Sequence, residues 1–494
     1  MRTTIPSKRI WLMRGLSILI AIFPFFIAET VIRLSGMPIE ESVDSDPWVD
    51  LQQLEPLFVK NEAGDRWIIP NSRSNFFCEA SFSATKTPHT RRIFVLGGST
   101  VQGRPFATET SFSTWLRLKL EASDSKTTFE VVNCGGVSYA SYRIAKVLDQ
   151  VMQHEPDAIV LYTGHNEFLE DREYSEVRQL SPTRQGIARV ARHSRLVTWI
   201  QKKIKPTPKS SSILNREVST RLDHENGMEQ YRRDPAWRNG VETHFASTLR
   251  EMVNQVSLAK IPLILCVPAS DLIATAPFKT TPDPNLSPTQ LTEFNAQWKI
   301  ACDLQQTQET RFKAAKACLN VDRNHAGANY LCGRIAFEQG SQDEAIKKLT
   351  LARDQDVCPL RATSNIESTV RAFSNHAGIF MIDVPKLLDQ QNYRSTNLAD
   401  GLPDTLWFLD HVHPSIKGHQ VIAEACFDVM QPLSWVEETE GTKLRFEQSV
   451  TQHLANLDES YFGRGKQRLE GLIKWTQGKA KTKPASTAQS KDTR

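Results

Sequence analysis

The chain has 494 residues, 40% of them hydrophobic, more than a single ordinary core accommodates, so two or more domains are expected. Its 60 Lys and Arg against 56 Asp and Glu leave a formal net charge of +4, which gives no electrostatic footprint for a dedicated nucleic-acid binder. Eight cysteines scattered without a Cys-x-x-Cys pair exclude a disulfide framework and read as buried free thiols.

The amino terminus is basic, then apolar. Arg2, Lys8, Arg9 and Arg14 precede the uncharged run from Gly15 to Ala28. Taken over residues 10–34, with Arg14 and Arg33 snorkelling, the segment predicts an uncleaved signal anchor crossing a membrane once. The amino terminus would then be cytoplasmic and the rest of the chain extracytoplasmic; a cleaved signal peptide is the alternative.

The first strand predicted is Arg92-Ile93-Phe94-Val95-Leu96, running into Gly97-Gly98-Ser99-Thr100. An apolar, β-branched run ending in glycines reads as a buried parallel strand entering a tight turn. It places Ser99 at the carboxyl edge of a sheet, where open α/β sheets keep their ligand crevice. No Gly-Lys-Ser/Thr follows Gly97, Gly98 and Gly103, which argues against a phosphate loop. A second strand and turn run from Glu130 to Tyr142, through Cys134-Gly135-Gly136-Val137-Ser138. A third strand, Asp157 to Tyr162, leads to Gly164-His165-Asn166-Glu167 and sends Asn166 into the same cleft as Ser99.

Beyond this the pattern is interrupted. Residues 177–216 hold ten Lys or Arg and no Asp or Glu, with Ile187, Val190, Val197, Ile200 and Ile204 near helical spacing. They form a basic insertion, read as a solvated surface helix or as a face for anionic lipid or a lid. A helix at 241–258 and a strand at 261–267 follow, and the strand ends in Ser270-Asp271 at the cleft edge, where an aspartate most often shapes the turn. From 305 to 356, Gly333, Gly340, Ala345, Leu349 and Ala352 take spacings that resemble a tetratricopeptide repeat, with Phe312, Ala315 and Leu319 as the packing face of a partial repeat before it. So few repeats bury no solenoid core alone, so the insert leans on the main domain, as a partner-binding surface or as a cap over the cleft.

The last clear strand is 378–384, followed by Asp410-His411-Val412-His413-Pro414 and a helix over 416–430. A serine needs a base to take its proton and a carboxylate to fix that base's tautomer. Asp410 and His413, three residues apart on a turn, supply the pair, with His411 as the rival base. His411, His413 and His419 lack a second carboxylate or thiol at ligand spacing, so no metal and no cofactor are expected. Arg143 and Arg361 are candidates for holding an anionic or carbonyl group of a substrate, with structural ion pairs as the alternative.

These motifs, over roughly 90–170, 241–275 and 360–432, resemble the SGNH, or GDSL-type, hydrolases. In that family the blocks read Gly-Asp-Ser, Gly-x-Asn-Asp and Asp-x-x-His; here Gly98 replaces the first aspartate and Glu167 the second. The resemblance implies a flavodoxin-like three-layer α/β/α sandwich on a parallel sheet and a serine esterase acting on acyl, chiefly O-acetyl, esters, with an acetylated glycan as one candidate substrate. An O-acyltransferase and an anchored scaffold with an inactive hydrolase domain are the alternatives. It also implies an oxyanion hole of the Ser99 N–H, a second-block N–H and the Asn166 side chain. The family's donor glycine aligns with Ser138, with Gly135 or Gly136 as alternatives. The expected organisation is an anchor at 10–34, a hydrolase domain in two parts at 88–285 and 358–435, and a helical insert at 300–357. A helical extension at 436–477 and a disordered tail at 478–494 complete it.

Overall fold

The computed structural model describes residues 55–170, 172, 218–395, 407–436 and 438–478, with Phe23, the pair 50–51 and the pair 213–214 besides. The chain divides into two units, one of residues 1–55 and 172–217, the other of residues 56–171 and 218–494. In the first, Asp50–Leu51 pairs in parallel with Ile213–Leu214. The rest of the basic insertion 177–216 lies outside the described residues, as does the tail from 479.

Among the described residues no helix is long and apolar enough to cross a membrane. This corrects the expectation of a single-pass anchor. The segment 10–34 that carried the expectation lies, Phe23 apart, outside the described residues.

The second unit is built on five strands: β1 (Thr90–Gly97), β2 (Thr128–Gly135), β3 (Ala158–Tyr162), β4 (Leu263–Val267) and β5 (Ile379–Asp383). All four pairings are parallel and the order is β2-β1-β3-β4-β5, the flavodoxin-like arrangement. β3 and β4 are buried throughout, which is why they read as unbroken apolar runs rather than alternating ones. The order reverses between β1 and β3, so the crevice of such a sheet opens between the ends of the strands that precede Ser99 and Asn166.

Helices cover both faces. On one side α1 (Ser99–Gln102) is followed by α2 (Phe112–Ser123), whose Trp115 and Leu116 join Val95, Val160 and Ile264 in one core. On the other, α3 (Ser141–Val151) packs with α4 (Pro235–Leu258), begun by Pro235 behind the Asp234 cap. Between β4 and β5 come α5 (Pro288–Cys302), α6 (Gln308–Val321), α7 (Ala326–Glu338) and α8 (Gln342–Asp354), then α9 (Ser364–Arg371) against α4. The helical insert thus begins ahead of residue 300, with Ser287 and Gln290 forming the capping box of α5. Small residues let its helices approach: Ala301, Ala314, Ala315 and Cys332 share one core, and a Cβ on Gly333 would stand 2.8 Å from Leu349 Cγ. After β5 come α10 (Val384–Ser395), α11 (Ile416–Met430), which packs on α2, and the terminal α12 (Thr442–Ala455) and α13 (Glu459–Thr476).

Sequence patterning missed the start of this unit. Three short antiparallel strands, Val59–Lys60, Arg66–Ile68 and Ser81–Ser83, bring Phe58 and Phe82 edge-on to each other, and Phe82 edge-on to Phe94 of β1. At two or three residues each they are too short to show alternation.

Four buried imidazoles make the fold acid-sensitive. Burial lowers His165, His325 and His411 to about 4 and His419 to about 3, against about 6.5 in an unfolded chain. As pH falls below about 6.5 the unfolded state takes up protons that the folded state refuses. Stability contributed by these groups is therefore complete above that pH and drains between about 6.5 and 4, by up to about 1.4 kcal/mol per pH unit for each histidine. Asp356, pushed up to about 6 by burial, works in the opposite direction over the same range and offsets one of them. Urea melts at pH 7.5, 6 and 5 are expected to show a falling midpoint; a flat profile would refute the assignment of neutral buried histidines.

Candidate active site

The turn after β1 is built by close approach. A Cβ on Gly97 would stand 2.2 Å from the Tyr162 carbonyl of β3, which leaves no room for a side chain there, and one on Gly98 would stand 2.6 Å from Asn166 Nδ2 and displace that amide. Ser99 therefore starts α1 directly beneath the third block, with its side chain half-buried.

The histidine arrives from a pinched loop. Leu409 N–H donates to His413 O at 2.9 Å and Ser415 N–H to Trp407 O at 2.8 Å, which leaves Asp410 to Val412 as the tip. Asp410 folds back over it: Oδ1 accepts the N–H groups of Val412 (2.9 Å) and His413 (2.8 Å), while Oδ2 lies 2.7 Å from His413 Nδ1. Burial alone would raise this carboxyl, but His413 and His411 beside it and these hydrogen bonds hold it well below the usual carboxylate range. An ionised Asp410 keeps the proton on His413 Nδ1, so Nε2, 2.8 Å from Ser99 Oγ, accepts from the hydroxyl. The geometry brings His413 to Ser99. His411 stands 3.6 Å from Asp410 Oδ1 with its ring edge-on to Phe278, and His419 accepts from Phe112 N–H at 3.2 Å.

In the second block, Gly135 N–H donates to Asn133 Oδ1 at 2.9 Å and Gly136 N–H to Gly97 O at 3.0 Å. Both alternative donors are consumed by structure. Ser138 holds the left-handed φ of +60° in the turn closed by Tyr139 N–H to Gly136 O, and among the described residues its own N–H has no acceptor. That φ is why glycine is the easier residue here. Asn166 Nδ2 donates to Tyr139 O at 3.1 Å, which fixes the amide over Gly98 beside the same turn.

Sequence reading gave no role to Glu167. Fully buried, it accepts Ser141 N–H at 2.8 Å and Ser141 Oγ–H at 3.0 Å and so caps α3 from the third block. Gln102 also went unnoticed; its amide donates to Phe76 O and Gly135 O and ties α1 to the second block.

Of the two readings of Arg143 and Arg361, substrate contact or structural ion pair, the contacts around them favour the structural one. Arg143 is fully buried and grips Glu170 through Nε (2.8 Å) and NH2 (2.6 Å), an internal compensated pair. Arg361 is 2% exposed and spends NH1 on the carbonyls of Asp271 (2.8 Å) and Thr275 (3.0 Å). Its NH2 stands 3.9 Å from Asp356 Oδ2.

No family model matches the chain, and no curated relative does. Among solved structures it is similar to a lipase/acylhydrolase from Enterococcus faecalis at 12% identity and a TM-score of 0.31, covering 71% of this chain and 99% of that one. A catalytic mutant of an acetylxylan esterase from Geobacillus stearothermophilus matches at 14% identity and a TM-score of 0.30, over 71% of this chain and 97% of that one. An α/β hydrolase enzyme from the metagenome of Lake Arreo, Spain, matches at 14% identity and a TM-score of 0.31, over 70% and 96%. Overlaps this loose carry no chemistry, which rests on the distances above. In sheet order, in the placement of its motifs and in the row Ser99–His413–Asp410, the chain is similar to the SGNH-type hydrolases.

Proposed function

We propose that the protein is a serine esterase that cleaves acyl esters through an acyl-enzyme on Ser99. The observation that supports this most is the single row of contacts from Asp410 Oδ2 through both nitrogens of His413 to Ser99 Oγ. His413 takes the hydroxyl proton as Oγ attacks the acyl carbon, then delivers it to the leaving alcohol; Asp410 offsets the charge on the imidazolium between those steps. The tetrahedral oxyanion is held by Ser99 N–H, Ser138 N–H and Asn166 Nδ2, each donor contributing on the order of 3 kcal/mol. Water activated by His413 releases the acid and regenerates Ser99. O-Acetyl esters are the first substrates to try, on the family resemblance, and the two helix pairs from α5 to α8 enter this reading as a tetratricopeptide-like insert.

Intact-mass analysis of the full chain treated with a fluorophosphonate tests the reading. One adduct is expected, mapped to Ser99 by its absence in Ser99→Ala and slowed in His413→Ala. A folded protein that forms no adduct would overturn it.

A further inference from the structure

We propose that Tyr330 and Arg334, on α7 of the helical insert, are positioning residues for the acid/base loop of the active site, so that the insert sets the rate of chemistry without touching substrate. This rests on the serine-esterase reading. Tyr330 Oη and Arg334 NH1 both donate, each at 2.8 Å, to one acceptor, the carbonyl of Ile273. Ile273 belongs to the turn that follows β4, organised by a single carboxylate: Asp271 Oδ1 accepts the N–H groups of Ile273 (2.9 Å) and Ala274 (3.0 Å), and Oδ2 the hydroxyl of Thr275 (2.7 Å).

The other side of that turn carries the loop that holds the base. Asp271 N–H donates to His411 O at 3.0 Å, and the Phe278 ring stands edge-on to the His411 ring at 5.0 Å. Arg361 braces the turn from within through the carbonyls of Asp271 and Thr275. His411 lies between Asp410 and His413, so the peptide gripped by this turn is the one that spaces the carboxylate from the imidazole. Two donors aimed from a helix at one carbonyl fix that turn along a direction no contact within it controls. Side chains of a catalytic row must be held to within about 0.5 Å, and a displacement near 1 Å costs on the order of 100-fold in rate. Such a displacement acts on the chemical step and leaves the binding of a small ester unchanged.

The test is steady-state hydrolysis of p-nitrophenyl acetate and fluorophosphonate labelling by the full chain, with Tyr330→Phe, Tyr330→Phe/Arg334→Met and Tyr330→Phe/Arg334→Lys. The double variant with methionine is expected to lose about ten-fold in kcat with KM within two-fold of wild type. The lysine variant, which restores one donor, should regain most of that loss. Tyr330→Phe alone removes one hydrogen bond from an otherwise intact helix and should lower kcat two- to three-fold, a readout that survives if the double variants do not fold. Lys313→Ala, on the exposed face of α6, should match wild type. Equal kcat in wild type and Tyr330→Phe, or a kcat loss that lysine does not restore, overturns the clamp while wild-type labelling of Ser99 preserves the esterase reading. A wild type that leaves Ser99 unlabelled overturns both.

Discussion

Asp410→Asn is expected to fold normally and to lose about 10,000-fold in kcat. Wild-type Asp410 places three hydrogen bonds on two acceptor oxygens: two backbone N–H groups on Oδ1, and His413 Nδ1–H on Oδ2. Asparagine has one acceptor atom and one donor group. Its oxygen must stay with the two N–H donors, because turning the amide would set an NH2 against both of them. The NH2 then faces His413 Nδ1 and donates to it, and the ring proton moves to Nε2. That proton now points at Ser99 Oγ, 2.8 Å away, where the mechanism needs a lone pair. The turn keeps both backbone bonds, so the thermal midpoint should stay within a few degrees of wild type while the base is lost. Paired melting and kinetic measurements on p-nitrophenyl acetate check this. A loss below ten-fold in a folded variant would show that His413 does not depend on Asp410 for its tautomer.

Features written in local pattern were readable before the fold was known. Val95, Ile159 and Ile264 sit in runs that are apolar on both faces, and such runs, each followed by small or turn-forming residues, are what central parallel strands require. The Asp410–His413 spacing was readable for a similar reason, since one short turn sets it. Long-range choices were not. Arg143 pairs with Glu170, 27 residues on, and Arg361 grips carbonyls 90 and 86 residues away, separations that leave no periodic trace. The second-block donor was undecidable from the string because Gly135, Gly136 and Ser138 each carry an N–H. What separates them is that Asn133 and Gly97 have already claimed the first two. The grip on Ile273 spans 57 residues to Tyr330 and was equally invisible.

The family pattern carries aspartate where this chain has Gly98, and restoring it is expected to damage the enzyme. A Cβ at this position would stand 2.6 Å from Asn166 Nδ2, against 3.4 Å for an ordinary contact, so the amide must retreat by about 0.8 Å. Asn166 has little freedom to do so, because the same nitrogen is hydrogen-bonded to Tyr139 O at 3.1 Å. Displacing one oxyanion donor costs on the order of 100- to 1,000-fold in kcat. Gly98→Ala should fall in that range, and Gly98→Asp should lose at least as much, since its carboxylate adds negative charge beside the developing oxyanion. The cause can be isolated with a double-mutant cycle. Asn166→Ala alone should cost a similar factor, but it also removes the atom that a Cβ at position 98 would strike. Adding Gly98→Ala to it should therefore change kcat by less than about three-fold, whereas two independent sites would multiply their losses. Multiplicative losses would mean that Gly98 acts through the course of the β1 turn and the placement of Ser99, not through the amide above it.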